Sequence, residues 1–292
     1  MNAATTLPKV ALITGANSGI GAATARELAL QGYHVFLACR HQAKADPLIR
    51  DILSLTQNKA KVEFIELDLA DLDSVKRCAD TFLARNLPLH LLIANAGLAG
   101  QKGMTASGFE LCFGVCHVGH FLLVKLLTPV LITSAPARVV VVASKAHRHV
   151  KGIDFHAISK PTQSMGGLRE YSVAKLANIL FVKELARRLY GTGVTAYAVH
   201  PGVVATNVWR SLPSPLTKLV GHWMLTPEQG AATTLHCATH PALGAETGMY
   251  YDTCKVSPSS SAAQNIALAS ELWRQSEAWV SHMTTTSIRL AS

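Results

Sequence analysis

Acidic residues are scarce: Asp and Glu number 18 against 27 Lys and Arg, and charged residues are only 15% of the chain. With 49% hydrophobic residues, so little charge excludes a disordered or fibrous chain. The resulting net charge of +9 favours an anionic partner such as nucleic acid, acidic lipid or a phosphorylated cofactor. No Lys/Arg block and no nucleic-acid motif is present, so nucleic acid is not expected. The six cysteines include no C-x-x-C pair. Cys112 and Cys116 stand four apart without a second ligand pair, which excludes a zinc set; the thiols read as reduced, in a cytoplasmic protein. The 13 histidines form no H-E-x-x-H, and no metal site is expected. The N-terminus lacks the charged and apolar regions of a signal peptide. No uninterrupted apolar run reaches the ~18 residues of a spanning helix; peripheral membrane contact stays open.

What is present is alternation. Apolar runs at Val10–Ile13, His34–Ala38, Val62–Leu67, Leu89–Ala94, Val139–Val142 and Val194–Val199 alternate with helical patterns at 19–31, 43–58, 71–87, 105–134 and 169–190. Such βαβ units predict an α/β chain with a Rossmann-type, doubly wound parallel sheet, covered by helices on both faces, in a single domain over 1–292. A further helix near 226–238, a strand at Met249–Tyr251 and a C-terminal helix near 262–282 complete it. Residues 203–225 break the pattern and read as a substrate lid. Their bulky side chains, Trp209 and Trp223 among them, fit an internal core, a hydrophobic substrate wall or a membrane contact.

The segment Thr14-Gly15-Ala16-Asn17-Ser18-Gly19-Ile20-Gly21 joins the first strand to the first helix. Its glycines allow a tight turn and close approach of backbone to a pyrophosphate, which the helix N-terminus would hold. An NAD-specific site carries an acid about 20 residues on; here the second strand ends in Arg40. Arg40 is either a surface cation or the partner of a 2′-phosphate, and the second reading selects NADP(H). Asp68 and Leu69 after the third strand, and Asn95, Ala96 and Gly97 after the fourth, fall where ligands of such sheets bind.

Tyr171 and Lys175 are four apart on one helix, so they share a face. A neighbouring ammonium and a cationic nicotinamide would both lower the pKa of a phenol, which is ordinarily about 10. Ser144, at the end of the fifth strand, can polarise a carbonyl. Ser144, Tyr171 and Lys175 are thus the candidate catalytic residues. His147, Trp209 and Trp223 are the candidate substrate contacts.

Together, the phosphate loop, Ala38-Cys39-Arg40, Asp68-Leu69, Asn95-Ala96-Gly97, Ser144, Tyr171-Ser172-Val173-Ala174-Lys175 and Pro201-Gly202-Val203-Val204-Ala205-Thr206 resemble the short-chain dehydrogenase/reductase family over about residues 8–285. Segments 118–127, 175–189 and 248–260 are similar to its retinol-dehydrogenase-like and protochlorophyllide-reductase-like branch. The resemblance implies hydride transfer between a nicotinamide and a carbonyl or alcohol carbon. It assigns Tyr171 as acid/base, Ser144 as carbonyl binder, and Lys175 as pKa tuner and ribose ligand. It also places Pro201, Gly202, Val204 and Thr206 at the nicotinamide, and implies a homodimer through the helices at 105–134 and 169–190.

The branch's usual N-H-x-G-H reads Cys116-His117-Val118-Gly119-His120 here. By the resemblance, the asparagine position helps set a helix distortion whose backbone carbonyl places a water beside the lysine. A cysteine there reads as a tolerated substitution, as altered redox chemistry or as a thiol nucleophile. The leading expectation is an NADP(H)-dependent oxidoreductase acting on a bulky, mainly apolar ketone, aldehyde or alcohol. The rivals are a nonredox cyclisation, elimination or isomerisation using Cys116 or a histidine, and an NADPH-binding regulatory or scaffold protein.

Overall fold

The strands are short, apolar runs because both faces of the sheet are covered. Every residue of β1 (Val10–Thr14) and β2 (His34–Cys39) is buried. β3 (Val62–Glu66), β4 (Leu91–Ala94), β5 (Ala137–Val142), β6 (Val194–His200) and β7 (Met249–Asp252) extend a sheet of order β3-β2-β1-β4-β5-β6-β7-β8. β1 to β7 pair in parallel, and only β8 (Lys255–Val256) runs antiparallel. The order reverses between β1 and β4, which opens a crevice at the carboxyl ends of those strands. The computed structural model describes residues 8–202 and 225–284. The expected lid, with Val204, Thr206, Trp209 and Trp223, lies outside the described residues.

Side chains alternate across the sheet. Val10 and Leu12 face one core, which holds α3 (Leu72–Leu83), α4 (Leu111–Phe113), α5 (Gly119–Thr133), α6 (Leu168–Arg188) and α8 (Ile266–Thr284). Ala11 and Ile13 face the other, which holds α1 (Gly19–Leu30), α2 (Gln42–Leu55) and α7 (Pro227–Thr239). The resulting single-domain, Rossmann-like architecture is the one the alternation predicts.

One expectation is corrected. The long helix does not start near 105. Glycines with positive φ at Gly103 and Gly108 turn the chain, Met104 bridges to Glu110, and the Glu110 carboxylate then caps α4 at Phe113 N. Leu111–Thr133, 23 residues with a mean hydropathy of 1.8, is long and apolar enough to cross a membrane by length and composition. Counting only uninterrupted runs hid it, because His117, His120 and Lys125 punctuate the segment. Its apolar window is 61% buried inside the fold, as a core helix would be. One face of α5 and α6 carries α8. Trp273 stacks on Phe181 and lies beneath the Arg188 guanidinium, 4.4 Å from its ring centroid. Glu277 pairs with Lys125, and Ser276 hydrogen-bonds His117.

Candidate active site

A cleft of about 1170 Å³ runs along the carboxyl ends of the strands. That volume exceeds a typical small-ligand pocket of about 300–1,000 Å³, so it can hold a dinucleotide with a second molecule beside it. Its lining contains Gly15, Asn17, Ser18, Gly19, Ile20 and Gly21 from the loop, and Arg40 after β2. It also contains Asp68 and Leu69, Asn95 to Gly97, Ser144, Tyr171, Lys175, Pro201 and Gly202. Sequence reasoning therefore brought one set of residues to one cleft.

The phosphate end is held by tight backbone contacts. Gly15 takes φ +65 and its N–H donates to Ala38 O. The Asn95 amide donates to Thr14 O at 2.8 Å, and Thr14 Oγ1 accepts the N–H groups of both Asn95 and Ala96. The first turn of α1 has no side-chain cap, so its N–H groups and the positive end of its dipole face the cleft. A pyrophosphate fits this chemistry. Arg40 and Lys44 stand together at the rim, suited to a further phosphate. Lys44 was not singled out in the sequence, although it stands four residues beyond Arg40, in the first turn of α2.

At the reactive end, Lys175 is 3% exposed and its Nζ donates to Val142 O at 2.8 Å. Asn178, one residue short of a further turn along α6, donates to the same carbonyl at 3.1 Å. The Lys175 ammonium lies 5.6 Å from the Tyr171 ring centroid. Burial pushes the Tyr171 phenol upward, and outweighs the downward pull of Lys175 and of the hydrogen bond with Ser144. Lys175 thus acts in the expected direction, but in the protein alone desolvation wins. Ser144 begins a 3-10 turn, Lys145–His149, where its hydroxyl accepts the Ala146 N–H at 3.2 Å.

His147 is a correction. It is fully buried and does not line the cleft. Its Nδ1 bonds Ser144 O and its Nε2 accepts the Ser260 N–H, so the ring braces the chain just after β5 against the loop after β8. His200, which the sequence reading passed over, does line the cleft. It closes β6 directly before Pro201, is 5% exposed, and its Nδ1 has no partner among the described residues.

Cys116 is also fully buried and lies in a π-helical segment, Gly114–Val118, between α4 and α5. The expected helix distortion is therefore present with cysteine in place of asparagine. The Cys116 carbonyl accepts from His120 Nδ1 at 3.1 Å, and His120 Nε2 meets Thr14 Oγ1 at 2.8 Å. Since Thr14 Oγ1 already accepts two backbone N–H groups, its own proton goes to Nε2, which fixes the neutral tautomer. The π segment is thereby tied to the end of β1.

Burial holds His117 at about 3, His120 at about 4 and His200 at about 4. In the unfolded chain each would take up a proton near pH 6.5. Acidification below that point therefore favours unfolding, until the folded rings protonate near pH 4 and 3. Stability is expected to fall by up to about 1.4 kcal/mol per pH unit for each ring. Urea unfolding at about pH 7 and about pH 5 measures this; equal stabilities would contradict it.

A family model described as short chain dehydrogenase matches residues 9–216. The chain is 46% identical over 271 residues to retinol dehydrogenase 12 of Homo sapiens, covering 92% of this chain and 85% of that protein. It is 44% identical over 287 residues to the WW domain-containing oxidoreductase of Danio rerio, covering 95% and 69%. A solved structure of an uncharacterized protein from Mycobacterium paratuberculosis matches with a TM-score of 0.75 at 33% identity, covering 94% of this chain and 96% of that one. The actinorhodin polyketide ketoreductase with NADPH shares the fold, with a TM-score of 0.65 at 22% identity over 85% and 96%.

Proposed function

Because the chain belongs to the short-chain dehydrogenase family, we propose that it is an NADP(H)-dependent oxidoreductase acting on a bulky, mainly apolar carbonyl or the corresponding alcohol. The observation that carries this reading is the meeting of Ser144, Tyr171 and Lys175 in the cleft whose other end is the phosphate loop. When bound, NADP(H) supplies or takes up the hydride. The chain's own residues do the rest. In reduction, Ser144 Oγ donates a hydrogen bond to the carbonyl oxygen, and Tyr171 gives that oxygen its proton. Lys175 stabilises the phenolate left behind. In oxidation the proton moves in the opposite sense. Leu98, Leu111, Val115, Val150 and Leu168 line the cleft beside this set and suit an apolar substrate. The similarity to a retinol dehydrogenase supports that substrate class.

The coenzyme preference rests on Arg40 and Lys44, with no acid at the end of β2. Arg40→Ala is expected to weaken NADPH binding about tenfold to a hundredfold, the worth of one charge-assisted hydrogen bond, and to leave NADH binding unchanged. Fluorescence titration with both nucleotides checks it; equal losses for the two would remove the 2′-phosphate role.

A further inference from the structure

His117 Nδ1 and Asn178 Oδ1 are two buried polar atoms with no partner in full hydrogen-bond geometry among the described residues, and their side chains face each other. His117 is 1% exposed and Asn178 2% exposed. The π segment that carries His117 packs on α6, where the ring meets Phe181, three residues beyond Asn178, at 5.8 Å between centroids. Phe113 and Phe121 flank the same ring. In so apolar a setting an unmade hydrogen bond is costly. The other polar atoms of the two side chains are engaged. His117 Nε2 meets Ser276 Oγ of α8 at 3.0 Å. Asn178 Nδ2 donates to Val142 O at 3.1 Å, and Lys175 Nζ donates to the same oxygen at 2.8 Å.

These contacts fix the protons one after another. Turning the Asn178 amide over would set Oδ1 against Val142 O, acceptor against acceptor. Nδ2 therefore faces the carbonyl and Oδ1 faces the ring, where it can only accept. Burial, with His120 adding to it, holds His117 at about 3, so the ring is neutral and carries a single N–H. Asn178 pulls the other way, as an acceptor in front of a ring proton does.

We propose that His117 carries its proton on Nδ1 and donates it to Asn178 Oδ1, so that Ser276, His117 and Asn178 form one buried chain that positions Lys175 through Val142 O. Ser276 starts the chain by donating its hydroxyl proton to His117 Nε2. Neither His117 nor Asn178 lines the cleft, so both are positioning residues.

The carbonyl at the end of the chain is well placed to act. Val142 closes β5 two residues before Ser144, and its oxygen has two lone pairs, one for each donor. Asn178 takes the one that Lys175 leaves, which holds the carbonyl toward α6. The ammonium then has one fixed acceptor at the depth from which it faces the Tyr171 ring. A buried network in which every member is paired favours a single arrangement in this way. The effect on turnover rests on the proposed role of Lys175; the hydrogen-bond chain does not.

Two measurements on the full chain separate them. Long-range proton–nitrogen correlation spectra of the ¹⁵N-labelled protein at neutral pH are expected to show His117 with Nδ1 protonated and Nε2 bare, its signals being identified by their loss in His117→Phe. Asn178→Leu, similar in volume but without an acceptor, is expected to move the proton to Nε2, where Ser276 can accept it. A bare Nδ1 in the parent would overturn the proposal, and the spectra decide this even if the proposed activity fails. In turnover of an accepted carbonyl, His117→Gln, whose amide can still donate to Asn178, is expected to keep about tenfold more kcat than His117→Phe, the worth of one hydrogen bond. A packing role alone predicts the opposite order, because Phe suits the company of Phe113, Phe121 and Phe181 and Gln does not. Equal kcat values, or Phe ahead, with Nδ1 protonated in the parent would overturn the positioning of Lys175 and leave the hydrogen-bond chain standing.

Discussion

Tyr171→Phe is expected to lower turnover of an accepted carbonyl by about 10²–10⁴-fold, the usual worth of a positioned proton donor, with NADPH affinity within about twofold of the parent. The hydroxyl is the only part removed. The ring keeps its packing against the core that holds α6, and Lys175 keeps its bond to Val142 O. The distinction lies in which constant changes. Loss of a group that acts in the transition state lowers kcat, whereas loss of a binding surface raises KM. Steady-state kinetics with NADPH titration resolves the two, and undiminished turnover would strike Tyr171 from the mechanism. Tight NADPH binding by the parent chain with no turnover on any carbonyl would instead favour a regulatory or scaffold protein.

The second large effect belongs to Gly21. A Cβ built there would lie 2.4 Å from Gly15 O and 2.5 Å from the Asn95 amide nitrogen. Neither can move freely. Gly15 is pinned by its own N–H to Ala38, and Asn95 by its bond to Thr14 O. Gly21→Ala must therefore push α1 off the end of β4. Overpacking of this kind costs about 1–3 kcal/mol, and if it falls on the loop alone it weakens NADPH binding by up to about a hundredfold. Gly152→Ala is the control, because its added Cβ meets nothing within 4 Å. Thermal unfolding with coenzyme titration checks the pair; equal behaviour of the two variants would refute the close-packing argument.

Much of the architecture was legible because strand and helix signals differ in period. The runs at Val10 and Val139 are apolar at every position, and the run at His34 is so after its first residue, as suits strands buried on both faces; each begins within three residues of where it was read. The loop glycines and the Tyr171–Lys175 spacing carry geometry that only certain residues can adopt. Other features leave no such mark. The π segment at Cys116 needs a single residue of extra register, for which no composition is diagnostic. β8 has two residues, too few for any periodicity. Lys44 and His200 reach the cleft through tertiary placement of α2 and β6, so neither could be told from an ordinary surface or core residue. His147 misled because nearness to Ser144 in the chain says nothing about which way a ring turns.

The C-terminal helix carries a consequence for the cleft. Through Trp273, Ser276 and Glu277 it grips α5 and α6 together. That face of α5 and α6 is covered by the chain's own last helix, which acts as a resident partner. The same grip makes the tail a brace for the helix that carries Tyr171 and Lys175, so the placement of that helix depends in part on residues about a hundred positions downstream.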